Sequence, residues 1–480
     1  MTRLMATVLA FFLSLLLVPS ASAEDLNSPP RPLPVKKTPF PKPLETTLKN
    51  GLQILLIQSH KVPHIAFRMA IRSGRAMDPA LSEMTADLLL EGTSRQKGEE
   101  IAEAVESVGG ALSVSVENDA VFIVGHFLNE HSDLAISLLR DVLENPVFPE
   151  EELVKLKKRT LSLLASKRSK PDFLAEERFL KSIYGDHPYS IASPSPESVE
   201  KVDREAVVRF HSTYFRPNNS ILVVVGDFQP TVILSKLRKA FGTWKKAPIP
   251  SRAMQPPPLQ AHRRIFLVDR PGSVQTALHL GSLTIPRSHP DFVPLRVAMQ
   301  ILGGSSSARL FVNLRERKSY TYGAYSSMTS FRDGGHYKAD AEVRTEVTEG
   351  ALKEFLKELA EMREATVTPS ELSHAKAYLS GSFPLSLETA LDICRLVLIQ
   401  KLNGLPGDYW QSYRNRILGV TVADVQRAAR KYITPNGLTI VAVGDGKKIE
   451  GILSQFGPLE VYDTSGKAVK SVGPGSTEKY

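Results

Sequence analysis

Glu83 and Asp87 are the first side chains whose spacing suggests chemistry. On a helix, residues four apart lie about 40° from each other around the axis, so the two carboxylates share a face. Such a pair could ligate a hard divalent cation in a self-sufficient hydrolase; a solvated acidic face is the plainer reading. Ala86, on the same side, offers no general base. His126 and His131, in HFLNEH, stand one residue too far apart to share a metal along one helix face, and they read as surface or internally satisfied histidines. Cys394 is the only cysteine, which rules out an internal disulfide. It sits in LDICRLVLI, where a buried apolar role outweighs that of a catalytic thiol. Gly303-Gly304 and the serines after them lack the Gly-Lys-Ser/Thr of a phosphate-cradling loop.

The elements that must position these residues follow from local pattern. Asp78 is a good N-cap and Pro79 suits the first helical position, so a helix is predicted from there to the Gly92 stop, with Leu81, Met84 and Leu88 as its apolar stripe. A second helix turns Ile101, Val105 and Val108 inward and ends at Gly109-Gly110. Upstream, Asn50-Gly51 marks a hairpin and His64 to Ser73 a third strand. Downstream, Leu112 to Phe127 reads as a hairpin turning at residues 117–119. A helix then runs from Glu130 to just before Pro146, and Pro149-Glu150 open a basic helix toward Lys170.

One unit occurs twice. A helix from Val202 to Tyr214, the turn Pro217-Asn218-Asn219 and a strand from Ile221 to Val225 ending in Gly226-Asp227 are matched by Val422 to Tyr432, Pro435-Asn436-Gly437 and Leu438 to Asp445. An internal duplication is the economical account, with halves at 45–244 and 263–463 joined by the proline-rich linker 245–262. The fold class expected is α+β: two homologous sandwich halves, helices packed on one face of a mixed or antiparallel sheet.

At 480 residues and 42% hydrophobic, the chain has ample material for a core. The N-terminus, MTRLMATVLAFFLSLLLVPSASA, has a basic Arg3, an apolar run and a small-residue cleavage site, and reads as a signal peptide over residues 1–23. An uncleaved anchor is the alternative, although the run is short of the ~20 residues a span needs. A proline-rich spacer is expected over residues 24–44 and a flexible tail over 464–480. The sequence therefore predicts an exported, periplasmic or otherwise extracytoplasmic protein with no stable membrane span. The net charge of +9 is dispersed rather than gathered in a stripe, which argues against a nucleic-acid partner.

The stretch DPALSEMTADLLLEGTSRQKGEEIAEAVESVGG resembles the start of the insulinase, pitrilysin and mitochondrial processing peptidase family, whose first helix carries His-x-x-Glu-His before a Gly-Thr, a helix and a Gly-Gly. Anchoring on Gly92-Thr93 and Gly109-Gly110 puts Glu83, Ala86 and Asp87 on the motif's His, Glu and His. In the family the two imidazoles hold zinc and the carboxylate deprotonates its water. The resemblance also implies a third ligand, a Glu within Thr160 to Lys170, a window with no carboxylate. No metal or other cofactor is therefore expected in this chain.

The second half resembles the family too. LGGSSSARLFVNLRERKSYTYG follows its Gly-Gly, Ser-x-Arg-Leu-Phe, Leu-Arg-Glu signature with a Tyr seven residues past the Arg, and places Arg315 and Tyr322 on the pair that reaches across to a zinc site. A guanidinium can fork onto a carbonyl or carboxylate, and a phenol can donate to an oxyanion. The plainer reading makes Arg315 a surface helix residue and Tyr322 a core aromatic. Ser319-Tyr320-Thr321 replaces the usual Gly-Leu-Ala between them, and Arg309 is read as structural. By the same resemblance ALSVSVE, residues 111–117, is an edge strand for peptide capture, with Ser113 and Val114 as substrate-binding positions. Two halves are expected to face each other across a peptide-sized cavity, with short members pairing as two chains. The implied function is a zinc-less subunit of a heteromeric peptidase acting on peptides or small proteins, with zinc in a homologous partner subunit. A non-enzymatic scaffold or peptide-binding protein is the alternative.

Overall fold

The computed structural model describes residues 39–250, 254–258 and 260–472. The expected signal peptide, most of the spacer and residues 473–480 lie outside the described residues. The strands are β1 (Leu44–Thr47), β2 (Gln53–Gln58), β3 (His64–Ile71), β4 (Ala111–Val116), β5 (Val121–Leu128), β6 (Ser220–Gly226), β7 (Arg264–Asp269), β8 (Gln275–Thr284), β9 (Thr321–Ser330), β10 (Gly335–Arg344), β11 (Thr439–Gly444), β12 (Leu459–Tyr462) and β13 (Ala468–Val472). They form two mixed sheets, β1-β2-β6-β3-β5-β4 and β13-β12-β7-β11-β8-β10-β9. In each, the strand after the Pro-Asn turn joins one early strand in parallel, β6 to β2 and β11 to β7, and the next long strand antiparallel, β6 to β3 and β11 to β8. The duplication read in the sequence is thus a duplication of topology, with β4 and β9 as equivalent edge strands.

The helices do not confine themselves to one face of their own sheet. The helix Pro171–Tyr184 of the first half packs on β8 and β11 of the second sheet, while Ala390–Leu402 of the second half packs on β3 and β6 of the first. Leu174, Phe179, Ile183 and Tyr184 join Phe266, Val268, Val441 and Val443 in one buried cluster. In return, Cys394 and Leu398 are buried against Ala66, Ala70, Val223 and Val225. Polar contacts reinforce the exchange: His279 Nε2 lies 2.9 Å from the Asp172 carboxylate, and Lys338 Nζ forms an ion pair with Glu176 at 2.8 Å. The halves are interlocked, because each sheet buries both faces and needs an apolar helix from its neighbour to cover the second.

Three details differ from expectation. The helix expected over Val202 to Tyr214 begins at Arg204, because the Asp203 carboxylate caps it by accepting from the Ala206 N–H at 2.6 Å, and a separate short helix, Pro196–Lys201, precedes it. The end of the spacer is not free: Phe40 is buried, with its ring 6.3 Å from that of Trp410. The expected tail contributes β13, which pairs antiparallel with β12 because the Asp463 carboxylate, accepting from the Ser465 and Lys467 N–H groups, turns the chain back at Gly466.

Candidate functional site

The Pro79–Leu88 helix forms as expected, with Asp78 accepting from the Leu81 N–H at 2.9 Å. Its three chemical positions are closed to zinc. Glu83 Oε1 is 2.5 Å from Arg75 Nε. Ala86 is buried at 1% exposure, so the position of the general base faces packed side chains. Asp87 reaches solvent, yet the protein around its carboxyl withholds enough water to raise its pKa, against the opposing charge of Arg159. The Glu150–Arg168 helix crosses the Thr160 to Lys170 window and brings no carboxylate there. Arg75 thus occupies Glu83, Arg159 adds positive charge near Asp87, and the donor set does not fit a dication. Among the described residues there is no group of three or more His, Cys, Asp or Glu side chains that could hold a metal. His126 and His131 go separate ways, the first beside the His64 ring at 5.0 Å and the second 3.5 Å from Glu130.

Arg315 sits in a π-helical turn, Val312–Arg317, a distortion that often accompanies function. The turn is pinned by Asn313, buried and donating to Glu354 at 3.0 Å and Glu358 at 2.7 Å. Arg315 itself is exposed, its guanidinium 4.8 Å from the centre of the Phe311 ring. Arg309 is structural, gripping Glu371 at 2.6 and 3.1 Å.

The chain then passes through Ser319 at φ +54°, the left-handed region where a glycine is at ease, so the loop follows the path open to the family's usual Gly. Arg344 holds it there by donating to the Ser319 carbonyl at 2.8 Å. At the start of β9 the register shifts: Tyr322 and Gly323 together oppose Glu342 of β10. This bulge re-aims the side chain. Tyr322 is 89% exposed, which overturns its reading as a core aromatic. Arg315 and Tyr322 therefore flank one strained turn, both reaching solvent.

Strand β4 has a neighbour on one side only, β5. Ser113 is exposed, whereas Leu112, Val114 and Val116 pack against the first half's core. Val114 can thus meet a ligand through its backbone alone. Sequence reasoning missed Arg75, Arg159 and the bulge at Tyr322; the arginines' partners are set by tertiary packing, and the bulge by a register that no local pattern shows.

Comparison with known proteins places this geometry. The profile described as insulinase (peptidase family M16) matches residues 53–196 and that described as peptidase M16 inactive domain matches 201–379. The chain is similar to the "uncharacterized zinc protease YmxG" of Bacillus subtilis, 25% identical over 72% of this chain and 84% of the relative. It is also similar to the "non-peptidase homolog YmxG" of Helicobacter pylori, 24% identical over 82% of this chain and 92% of the relative. Among solved structures, a peptidase M16 inactive domain from Pseudomonas fluorescens superimposes with a TM-score of 0.79 at 25% identity, over 84% of this chain and 97% of that one.

Proposed function

Because the chain belongs to the insulinase family, peptidase M16, we propose that it is the zinc-less subunit of an exported two-chain peptidase. A homologous partner would carry the intact zinc motif, and this chain would contribute Arg315, Tyr322 and part of the peptide-binding wall. The observation that carries the reading is the asymmetry between the two candidate centres. Arg75 pairs with Glu83 and Arg159 adds positive charge near Asp87, whereas a bulge and a left-handed residue hold Tyr322 in solvent beside Arg315. A phenol kept exposed at the cost of local strain is what an oxyanion donor acting on another chain's substrate requires. Export rests on the N-terminal sequence alone. Among the described residues no helix is long and apolar enough to cross a membrane.

The test mixes this chain with an exported relative from the same genome that bears His-x-x-Glu-His, and follows cleavage of a quenched fluorescent peptide. Alone, this chain should carry no stoichiometric zinc and cleave nothing. In the mixture, Arg315→Ala or Tyr322→Phe should slow cleavage by about two to three powers of ten, with the partner's zinc content unchanged. Zinc-dependent hydrolysis by the isolated chain would sink the reading. A second reading, a scaffold or peptide-binding protein, draws on the non-peptidase name of the Helicobacter relative. It gains if both substitutions leave the mixture's activity intact.

A further inference from the structure

At the seam between the interlocked halves lies a pocket of about 380 Å³ whose wall carries five guanidinium groups, Arg68, Arg75, Arg287, Arg332 and Arg395. Two carboxylates, Glu117 and Asp119, also line it, leaving three positive charges in surplus. The two acids answer the cluster only in part. Glu117 forms a loose ion pair with Arg68 at 3.6 Å. Asp119 is occupied, accepting from the Tyr189 hydroxyl at 2.7 Å and the Arg332 backbone N–H at 3.2 Å. Asp392 takes Arg395 at 3.4 Å and Glu83 takes Arg75, which leaves Arg287 and Arg332 with no carboxylate partner among the described residues.

Concentrating like charges at a partly buried seam is costly unless something answers them. Arg68 has its Nε buried without a hydrogen-bond partner, its guanidinium lying 4.4 Å from the centre of the Phe122 ring. Burial weakens the hold of Arg68 and Arg287 on their protons, a penalty that a bound anion would relieve. Between a few uncharged polar groups the wall is also apolar, with Phe331, Leu398 and Leu402 beside the arginines. We propose that this pocket binds a small organic anion, its carboxylate or phosphate group held by the guanidinium cluster and its apolar part lying on Phe331, Leu398 and Leu402. Guanidinium forks match both anion types, and the volume suits a ligand of that size. Because Arg68 belongs to the first half and Arg287, Arg332 and Arg395 to the second, the ligand would also staple the halves together. Phe331 follows β9 at the end opposite Tyr322, about 30 Å along the strand, so the pocket is separate from the Arg315 and Tyr322 pair.

The test needs no partner subunit, so its failure is distinct from failure of the two-chain reading. Calorimetric titration of the full chain at low salt uses three probes: inorganic pyrophosphate, the tripeptide Ala-Ala-Phe with a free carboxylate, and its C-terminal amide. The expected result is saturable one-to-one binding of pyrophosphate, the free acid or both, with none by the amide. Pyrophosphate alone identifies a phosphate ligand, and the acid alone a peptide chain end. Arg332→Gln, in an exposed turn, and Arg395→Gln should each weaken binding at least tenfold without altering the unliganded melting temperature. The proposal is overturned if neither anion binds saturably, if the amide binds as well as the acid, or if binding survives in the double variant.

Discussion

Arg75 Nε lies 2.5 Å from Glu83 Oε1, so the first residue of the degenerate motif is already ion-paired within its own chain. Arg159 exerts the same sign of charge on Asp87. Rebuilding the motif by Glu83→His, Ala86→Glu and Asp87→His removes both native carboxylates and leaves Arg75 unpaired beside the intended dication and Arg159 nearby, with no acidic third ligand in the 160–170 window. The triple variant is expected to retain well under one zinc per chain after dialysis, measured by metal analysis. Stoichiometric zinc that resists dialysis would show that the arginines do not bar the site.

Acid should loosen the second half through Asp291. Burial pushes its carboxyl up, but the Tyr432 hydroxyl at 2.7 Å, Arg427 and Lys431 outweigh burial and hold the pKa at about 2, below the ordinary 3.8. A depressed carboxyl contributes stability that is present above pH 3.8 and lost as pH falls through 2. The contribution at neutral pH is about 2 kcal/mol. Asp291→Asn should therefore lower stability to urea by roughly that amount at pH 7, and the gap from the unsubstituted protein should close between pH 4 and pH 2. A gap that stays constant with pH would mean the ion cluster adds nothing.

Much of the fold was legible because it is written locally: the Pro-Asn turns, the Asn50-Gly51 hairpin, the Asp78 cap and the repeated apolar strands all act within a few residues. Which half each helix covers was not. Leu396, Val397 and Leu398 are buried in succession, which marks a helix enclosed on several sides but does not say by what. The candidate site divides the same way. The absence of the motif's histidines at residues 83 and 87 and of its base at 86 can be read directly, whereas the grip of Arg75 is a tertiary fact. The left-handed backbone at Ser319 was hidden because serine does not advertise it as glycine would.

The exchanged helices should open together. Cys394 is fully buried, its Sγ 3.9 Å from the Ala66 carbonyl and 3.8 Å from that of Val223, so a thiol reagent reaches it only when Ala390–Leu402 lifts from the first sheet. Phe179→Ala, in the reciprocal helix, should cost about 3–5 kcal/mol. If the interlock is one cooperative unit, this distant change should speed labelling of Cys394 by two to three powers of ten. An unchanged labelling rate would mean that the two helices release independently.

Ser319→Gly should be tolerated or stabilising. In an ordinary loop the change costs some stability through added freedom of the unfolded chain, about 0.5–1 kcal/mol. At φ +54° that loss is offset by relief of a left-handed serine. Urea midpoints are expected to stay level or rise by up to about 1 kcal/mol in stability. A clear loss would place the strain elsewhere.

The exposed edge of β4 sets the last expectation. Its inward residues Leu112, Val114 and Val116 are spent on the core, so a peptide lying along it meets the exposed Ser113 and Ser115 and the unpaired backbone groups of the strand. Added-strand binding protects such groups by hydrogen bonding, whatever side chains the peptide carries. On adding a short unfolded acidic peptide to the isolated chain, amide exchange over Ala111–Val116 should slow. Exchange in β1, the opposite edge of the same sheet, provides an internal control and should not change. Equal protection at both edges would indicate unspecific association, and no protection at β4 under saturating peptide would remove this strand from the binding surface.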